Sequence, residues 1–107
     1  MATVSVQQIT TGGVAPTYSP ASVGGDKIIP GAGTFLHVKN AHTAAQDCVI
    51  VTPGTVDGLA IADRTVTVPN AGERWIYVPA TLYRASDGFA SITWSGTTAM
   101  TFAALKV

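Results

Sequence analysis

The chain's 107 residues are enough for one compact domain with its own core and too few for two. Only 11% of them are charged, against about 25% in an ordinary soluble domain, and six Lys and Arg balance six Asp and Glu. A neutral, scattered charge set argues against a nucleic-acid footprint, which needs clustered cations. It fits either a neutral domain with a Thr- and Ser-coated exterior or a chain that buries much of its exterior against copies of itself or a partner, and the low charge favours the second.

Val, Ile and Thr supply 34 residues and Leu only 4. Branching at Cβ restricts a side chain in a helix and packs well on a pleated sheet. No window carries the run of Leu, Glu, Lys and Gln that a helix favours, and eleven glycines and six prolines cut the chain into short pieces. The composition predicts an all-β domain.

Taken in order, "TVSVQQI" alternates, with Val4 and Val6 opposite Ser5 and Gln7, and reads as a first strand ending near Ile9. Residues 10–33 differ: six glycines, three prolines and no sustained period. Such long unstructured stretches are uncommon in compact domains and are often functional or linking. The segment is either an arm lying on a neighbour or a loop wrapping its own sandwich, anchored by Tyr18, Ile28 and Ile29, and its deletion is expected to leave the sandwich folded. "TFLHVKN" places Phe35, His37 and Lys39 on one face and Leu36 and Val38 on the other. "DCVIVT" is apolar on both faces, as in a strand covered on both sides. "GLAIA" is a short extended piece, and "DRTVTVP" alternates with Val66 and Val68 inward. "NAG" predicts a hairpin-like turn into "ERWIYV", where Trp75 and Tyr77 oppose Ile76 and Val78. "ATLYRASDG" is an excursion closed by an Asp-Gly turn, and "FASITW" and "AMTFAALKV" end the chain around "SGTT".

About seven or eight short strands with turns about every 8–12 residues predict one β-sandwich over residues 1–107, jelly-roll or immunoglobulin-like, with 10–33 as an extended loop or arm within it. "MATVSVQQ" lacks the basic and apolar regions of a secretory signal. The longest aliphatic run, about four residues, is far below the roughly 20 that span a bilayer. No membrane partner is expected.

The acids raise the question of chemistry. Asp57, Asp63 and Glu73 fall within one stretch of "TVDGLAIADRTVTVPNAGERWIYVPA", while Asp26, Asp47 and Asp87 lie elsewhere. A calcium loop needs acids at alternating positions around a central Gly with a closing Glu, and this stretch lacks that density, so turn formation explains these acids better than metal binding. Cys48, the single cysteine, sits in an apolar run and reads as a small buried hydrophobe. His37 stands in a strand without a nucleophile motif near it, and "TWSGT" is not the strained Gly-x-Ser-x-Gly elbow. No catalytic residue, cofactor or metal is expected, and the protein is read as not an enzyme. Trp75, Trp94, Tyr77 and Tyr83 leave a carbohydrate-binding module as the alternative, against which Trp75 and Tyr77 are expected to fill one layer of the sandwich.

The series "TFLHVKN", "TVDGLAIADRTVTVPNAGER" and "LYRASDGFASITWSG" resembles small virion proteins of tailed bacteriophages and prophages, of the capsid decoration or cement type. The resemblance spans about Thr34 to Leu105 and is weaker over the glycine-rich segment. It implies a β-rich protein, often a homotrimer, bound over the major capsid protein on the outside of the shell and assembled in the bacterial cytoplasm; similar small β-proteins also serve as head fibres or tail components. On this reading Tyr18, Ile28 and Ile29 are expected to contact the partner, and Arg64, Arg74 and Arg84 to form intersubunit salt bridges.

Overall fold

Twelve strand segments and one helical turn make up residues 2–107, which the computed structural model describes. They are β1 (Ala2–Thr3), β2 (Gln7–Gln8), β3 (Ser19–Pro20), β4 (Asp26–Ile28), β5 (Thr34–Asn40), β6 (Gln46–Ile50), β7 (Thr55–Val56), β8 (Leu59–Ala60), β9 (Arg64–Val68), β10 (Gly72–Tyr77), α1 (Ala80–Tyr83), β11 (Ala90–Trp94) and β12 (Met100–Lys106). The first sheet runs β1-β4-β11-β6-β9. The second runs β10-β5-β12-β2, with β3 also against β12, and β7 and β8 form a separate hairpin.

The predicted all-β sandwich is the observed fold. Alternation sets what each strand buries. On β5, Leu36 and Val38 face inward and are fully buried, while Phe35 and Lys39 face outward. Met100, Phe102 and Ala104 of β12 do the same beside them, and Cys48, Ile50, Ile92 and Val68 close the core from the other sheet. The molecule is only 20 Å thick, the depth of two sheets about 10 Å apart with their outer side chains. Among the described residues, β6 and β9 are the one pair of consecutive longer strands that hydrogen-bond to each other. Every other connection between longer strands crosses from one sheet to the other. Antiparallel pairs nest around the β6/β9 pair, β5 with β10, β4 with β11 and β3 with β12, as in a jelly roll. The order is not the immunoglobulin one, whose first two strands are neighbours.

Two local expectations are corrected. "NAG" does not join a hairpin: β9 pairs with β6, and β10 pairs with β5. Pro69–Gly72 is instead a corner between sheets, closed by the Gly72 amide donating to the Pro69 carbonyl at 3.0 Å. Ala71 there takes a φ of 54°, a left-handed conformation that costs a non-glycine residue roughly 1–2 kcal/mol. The second correction concerns residues 10–33, which are no detachable arm. Ser19–Pro20 pairs with β12, and Asp26–Ile28 lies between β1 and β11 in the first sheet. Ile28 is fully buried in the core, so deleting the segment would remove a paired strand and a core side chain together.

"ATLYRASDG" begins as the single helical turn α1, which follows Pro79 and carries Tyr83 into the core. The Asp57-Gly58 step, with φ values of 51° and 78°, is the tight turn of the β7–β8 hairpin, since both central residues of such a turn need positive φ.

Candidate functional site

Strand pairing fixes which loops share an end of the sandwich. Lys106 pairs with Thr34 and Tyr77 with Phe35 in one sheet; Ile50 pairs with Arg64 and Ala90 with Ile28 in the other. The β4–β5 loop, the β6–β9 connection, the β10–β11 connection and the chain's last residue therefore emerge together. Ile29, Val56, Leu59, Ile61, Tyr77, Leu82 and Val107, seven of the ten exposed large hydrophobic residues among the described ones, lie at this end. The opposite end carries the 21–25, 41–45, 69–71 and 95–99 loops, built of small and polar residues apart from the exposed Val23. The exposed apolar surface is thus polarised along the strands.

The β7–β8 hairpin is the most prominent feature of that end. Residues 53–65 are exposed throughout, with Leu59 at 72% and Val56 at 61%. It is nonetheless tied down at its base, where Asp63 Oδ1 accepts from the Thr52 amide at 2.9 Å. There it meets α1 across a shallow depression of about 320 Å³ lined by Thr52, Ile61, Asp63, Leu82 and Tyr83.

The expected contact residues divide between this end and the rest of the molecule. Ile29, Arg64 and Arg84 fall at the apolar end, Ile29 more than half exposed. Arg84 donates to the Pro30 carbonyl at 3.3 Å and so links α1 to the β4–β5 loop. Arg74 donates to the carbonyl of Glu73 at 2.8 Å, away from this end. Among the described residues none of these three arginines pairs with a carboxylate. Ile28 is a core residue. Tyr18 lies on its own sandwich: its hydroxyl is 2.6 Å from His37 Nδ1, and Lys39 Nζ sits 4.2 Å from its ring centroid. Periodicity could not reveal Val56 and Leu59 as exposed, because a two-residue strand has no period to read.

Tyr18 belongs to a second surface, the outer face of the β10/β5 pair. Register places Tyr77 beside Phe35, Trp75 beside His37, and Glu73 beside Lys39. The Trp75 ring lies on that of His37, with centroids 4.0 Å and planes 7° apart, and tilts against Phe35 at 5.4 Å. Glu73 Oε2 is 3.2 Å from His37 Nε2. That buried nitrogen still lacks a hydrogen-bond partner, so the carboxylate lies off the line of the ring N–H and acts on it through space. Contrary to expectation, Trp75 and Tyr77 do not fill a layer of the sandwich: they are 61% and 57% exposed. Trp94 and Tyr83 turn inward instead, Trp94 donating its indole N–H to Asp26 Oδ2 at 2.9 Å and packing against Phe102.

The acids are dispersed as structural parts. Asp47 Oδ1 accepts from the Thr67 hydroxyl, and Asp26 Oδ2 from the Ser22 amide and Trp94. Asp87 is held below its ordinary value first by its hydrogen bond to Lys27, then by the Phe89 amide. Among the described residues no three His, Cys, Asp or Glu side chains gather as a metal site. Burial pushes the Cys48 thiol up to about 12, where it holds its proton at neutral pH. Comparison with protein-family models, curated proteins and solved structures gives no match to this chain.

Proposed function

We propose that this chain is a non-enzymatic structural protein of a tailed-bacteriophage virion, a decoration protein that docks on the outside of the major capsid shell. The observation that carries the reading is the polarised apolar surface: Val56, Leu59, Ile61, Leu82 and Ile29 crowd one end of an otherwise low-charge domain. Apolar exposure gathered at one end of a domain suits an interaction surface. The likeness of three sequence segments to small phage virion proteins supplies the kind of partner. Arg64 and Arg84, at the same end, are placed to give direction to such a contact.

Docking end-on would reinforce the shell by linkage. A protein that binds the assembled lattice and not its free subunits stabilises the lattice against disassembly. Each contact can be modest, because copies fixed together in a trimer engage several capsid subunits at once. The assembly is taken to form in the bacterial cytoplasm, on the capsid exterior.

The test is co-sedimentation of the purified chain with expanded capsids of the phage or prophage that encodes it, beside the double variant Val56→Asp/Leu59→Asp. Wild type should saturate the particles and the variant should remain in the supernatant. A wild-type chain that stays in the supernatant would refute the reading, and equal binding by both would remove the apolar end from it.

A further inference from the structure

We propose that the outer face of the β10/β5 pair is a glycan-binding site, with Trp75 and Tyr77 as its platform and a neutral oligosaccharide of equatorially substituted pyranoses, of the gluco or N-acetylglucosamine type, as its ligand. This face is centred on Trp75, away from Val56, Leu59, Ile61, Leu82 and Ile29, and meets the docking end only at its margin, through Gly33, Tyr77 and Val107.

The orientation of Trp75 is what points to a sugar. An exposed tryptophan on a strand ordinarily pays rotamer entropy when a ligand orders it. Here the ring is already fixed. One face stacks on His37 with planes 7° apart, one edge meets Phe35, and the remaining surface is open to solvent. His37 is itself buried and held by Tyr18, so the support beneath the indole is rigid. The result is an indole ordered in advance by its stack on His37, with Tyr77 two residues further on the same strand face, about 7 Å away.

A flat π-face carries negative potential at its centre and attracts weakly positive C–H groups. A pyranose whose hydroxyls are all equatorial presents such C–H groups on its two faces and confines its polar groups to the rim. The protein matches that division. Gly33, Phe35, Trp75, Ile76, Tyr77 and Val107 line a shallow dish of about 340 Å³, near the lower limit of small-molecule sites. At the other end of the strand pair, Glu73 and Lys39 stand side by side, supplying one acceptor and one donor for hydroxyls or an acetamide. Their opposite charges sum to zero, which suits a neutral saccharide better than an acidic one. A proline-rich peptide would seek a groove between aromatic walls, whereas this surface is a shallow dish.

Cellohexaose and chitohexaose, titrated separately into the intact protein, test the site through the indole N–H resonances. Trp94, bonded to Asp26, is the internal reference. The expected result is a saturable shift of the Trp75 resonance with at least one of the two sugars, a Kd in the millimolar range and a still Trp94. Followed by the backbone amides of β10, binding should weaken by about tenfold or more in Trp75→Ala, the worth of one stacked ring, and should persist in Val56→Asp/Leu59→Asp. Trp75→Ala also loses its stack on His37 and should unfold at a somewhat lower midpoint; Tyr77→Ala, expected to weaken binding several-fold, serves as a second variant free of that loss. No Trp75 shift with either sugar, or equal affinity in Trp75→Ala, overturns the proposal. So does a Trp75 shift that follows protein concentration alone, which would assign the face to a second copy.

Discussion

His37 supports Trp75 from below: the two rings are 4.0 Å apart and nearly parallel, on directly paired positions of β5 and β10. The imidazole is buried while the indole is mostly exposed, so the contact couples the interior to the surface. Tyr18 extends the stack, reaching His37 from the glycine-rich segment.

This stack predicts graded losses. Tyr18→Phe removes one hydrogen bond and should cost about 0.5–1.5 kcal/mol. His37→Ala removes a buried ring, that hydrogen bond and the support of Trp75, and should cost about 2–4 kcal/mol. Urea unfolding measures both costs, and the His37 variant should also shift Trp75 fluorescence. Equal stability of the two variants would mean that the stack adds nothing to the hydrogen bond.

The corner between sheets gives a prediction of the opposite sign. Ala71 carries left-handed strain, and Gly there would relieve it, less the roughly 0.5–1 kcal/mol that glycine costs through its freer unfolded chain. Ala71→Gly should therefore be neutral or stabilising by up to about 1 kcal/mol. At Gly72 a Cβ would lie 2.6 Å from Pro69 Cγ, so Gly72→Ala should destabilise by about 1–3 kcal/mol. Thermal unfolding of both variants reads the contrast.

Cys48 adds a pH dependence. Its folded value, about 12, stands above the thiol's ordinary 9.0, so between those values the unfolded chain releases a proton that the folded chain retains. Stability from this group is intact below about pH 9 and falls as pH rises, by up to about 1.4 kcal/mol per pH unit. Cys48→Ala should cost about 1 kcal/mol at neutral pH, for the small cavity, and should flatten the alkaline slope. In the wild type, thiol reagents should label Cys48 only through unfolding.

Deletions separate a strand of the glycine-rich segment from the exposed β7–β8 hairpin. Removing residues 26–30 takes out β4 and Ile28 and should abolish folding. Replacing residues 55–60 with a short turn removes only exposed hairpin and should change stability by within about 0.5 kcal/mol. Circular dichroism distinguishes the two.

Much of this architecture was legible in the sequence. "TFLHVKN" and "RTVTV" alternate cleanly, and both strands form with the expected inward faces, because one side of each strand meets a core and the other does not. Asp57-Gly58 formed its turn for the reason its residues suggest. "NAG" carried the same chemistry and yet joins two sheets, since turn residues fix a local bend and leave the next strand's partner to the packing. Ile28 was equally ambiguous: an apolar residue in a Gly/Pro-rich stretch reads alike as an anchor on a partner or as core. Trp75 and Trp94 both alternate on strands, but only the pairing of β10 at a sheet edge and the bond to Asp26 decide which one meets solvent.

Hydrogen–deuterium exchange of the chain, free and bound to capsids, tests the docking end most directly. The account predicts slowed exchange in residues 53–65, 29–33 and 80–84, with the 41–45, 69–71 and 95–99 loops unchanged. Protection confined to those three small-residue loops, with the β7–β8 hairpin exchanging as freely as before, would contradict it.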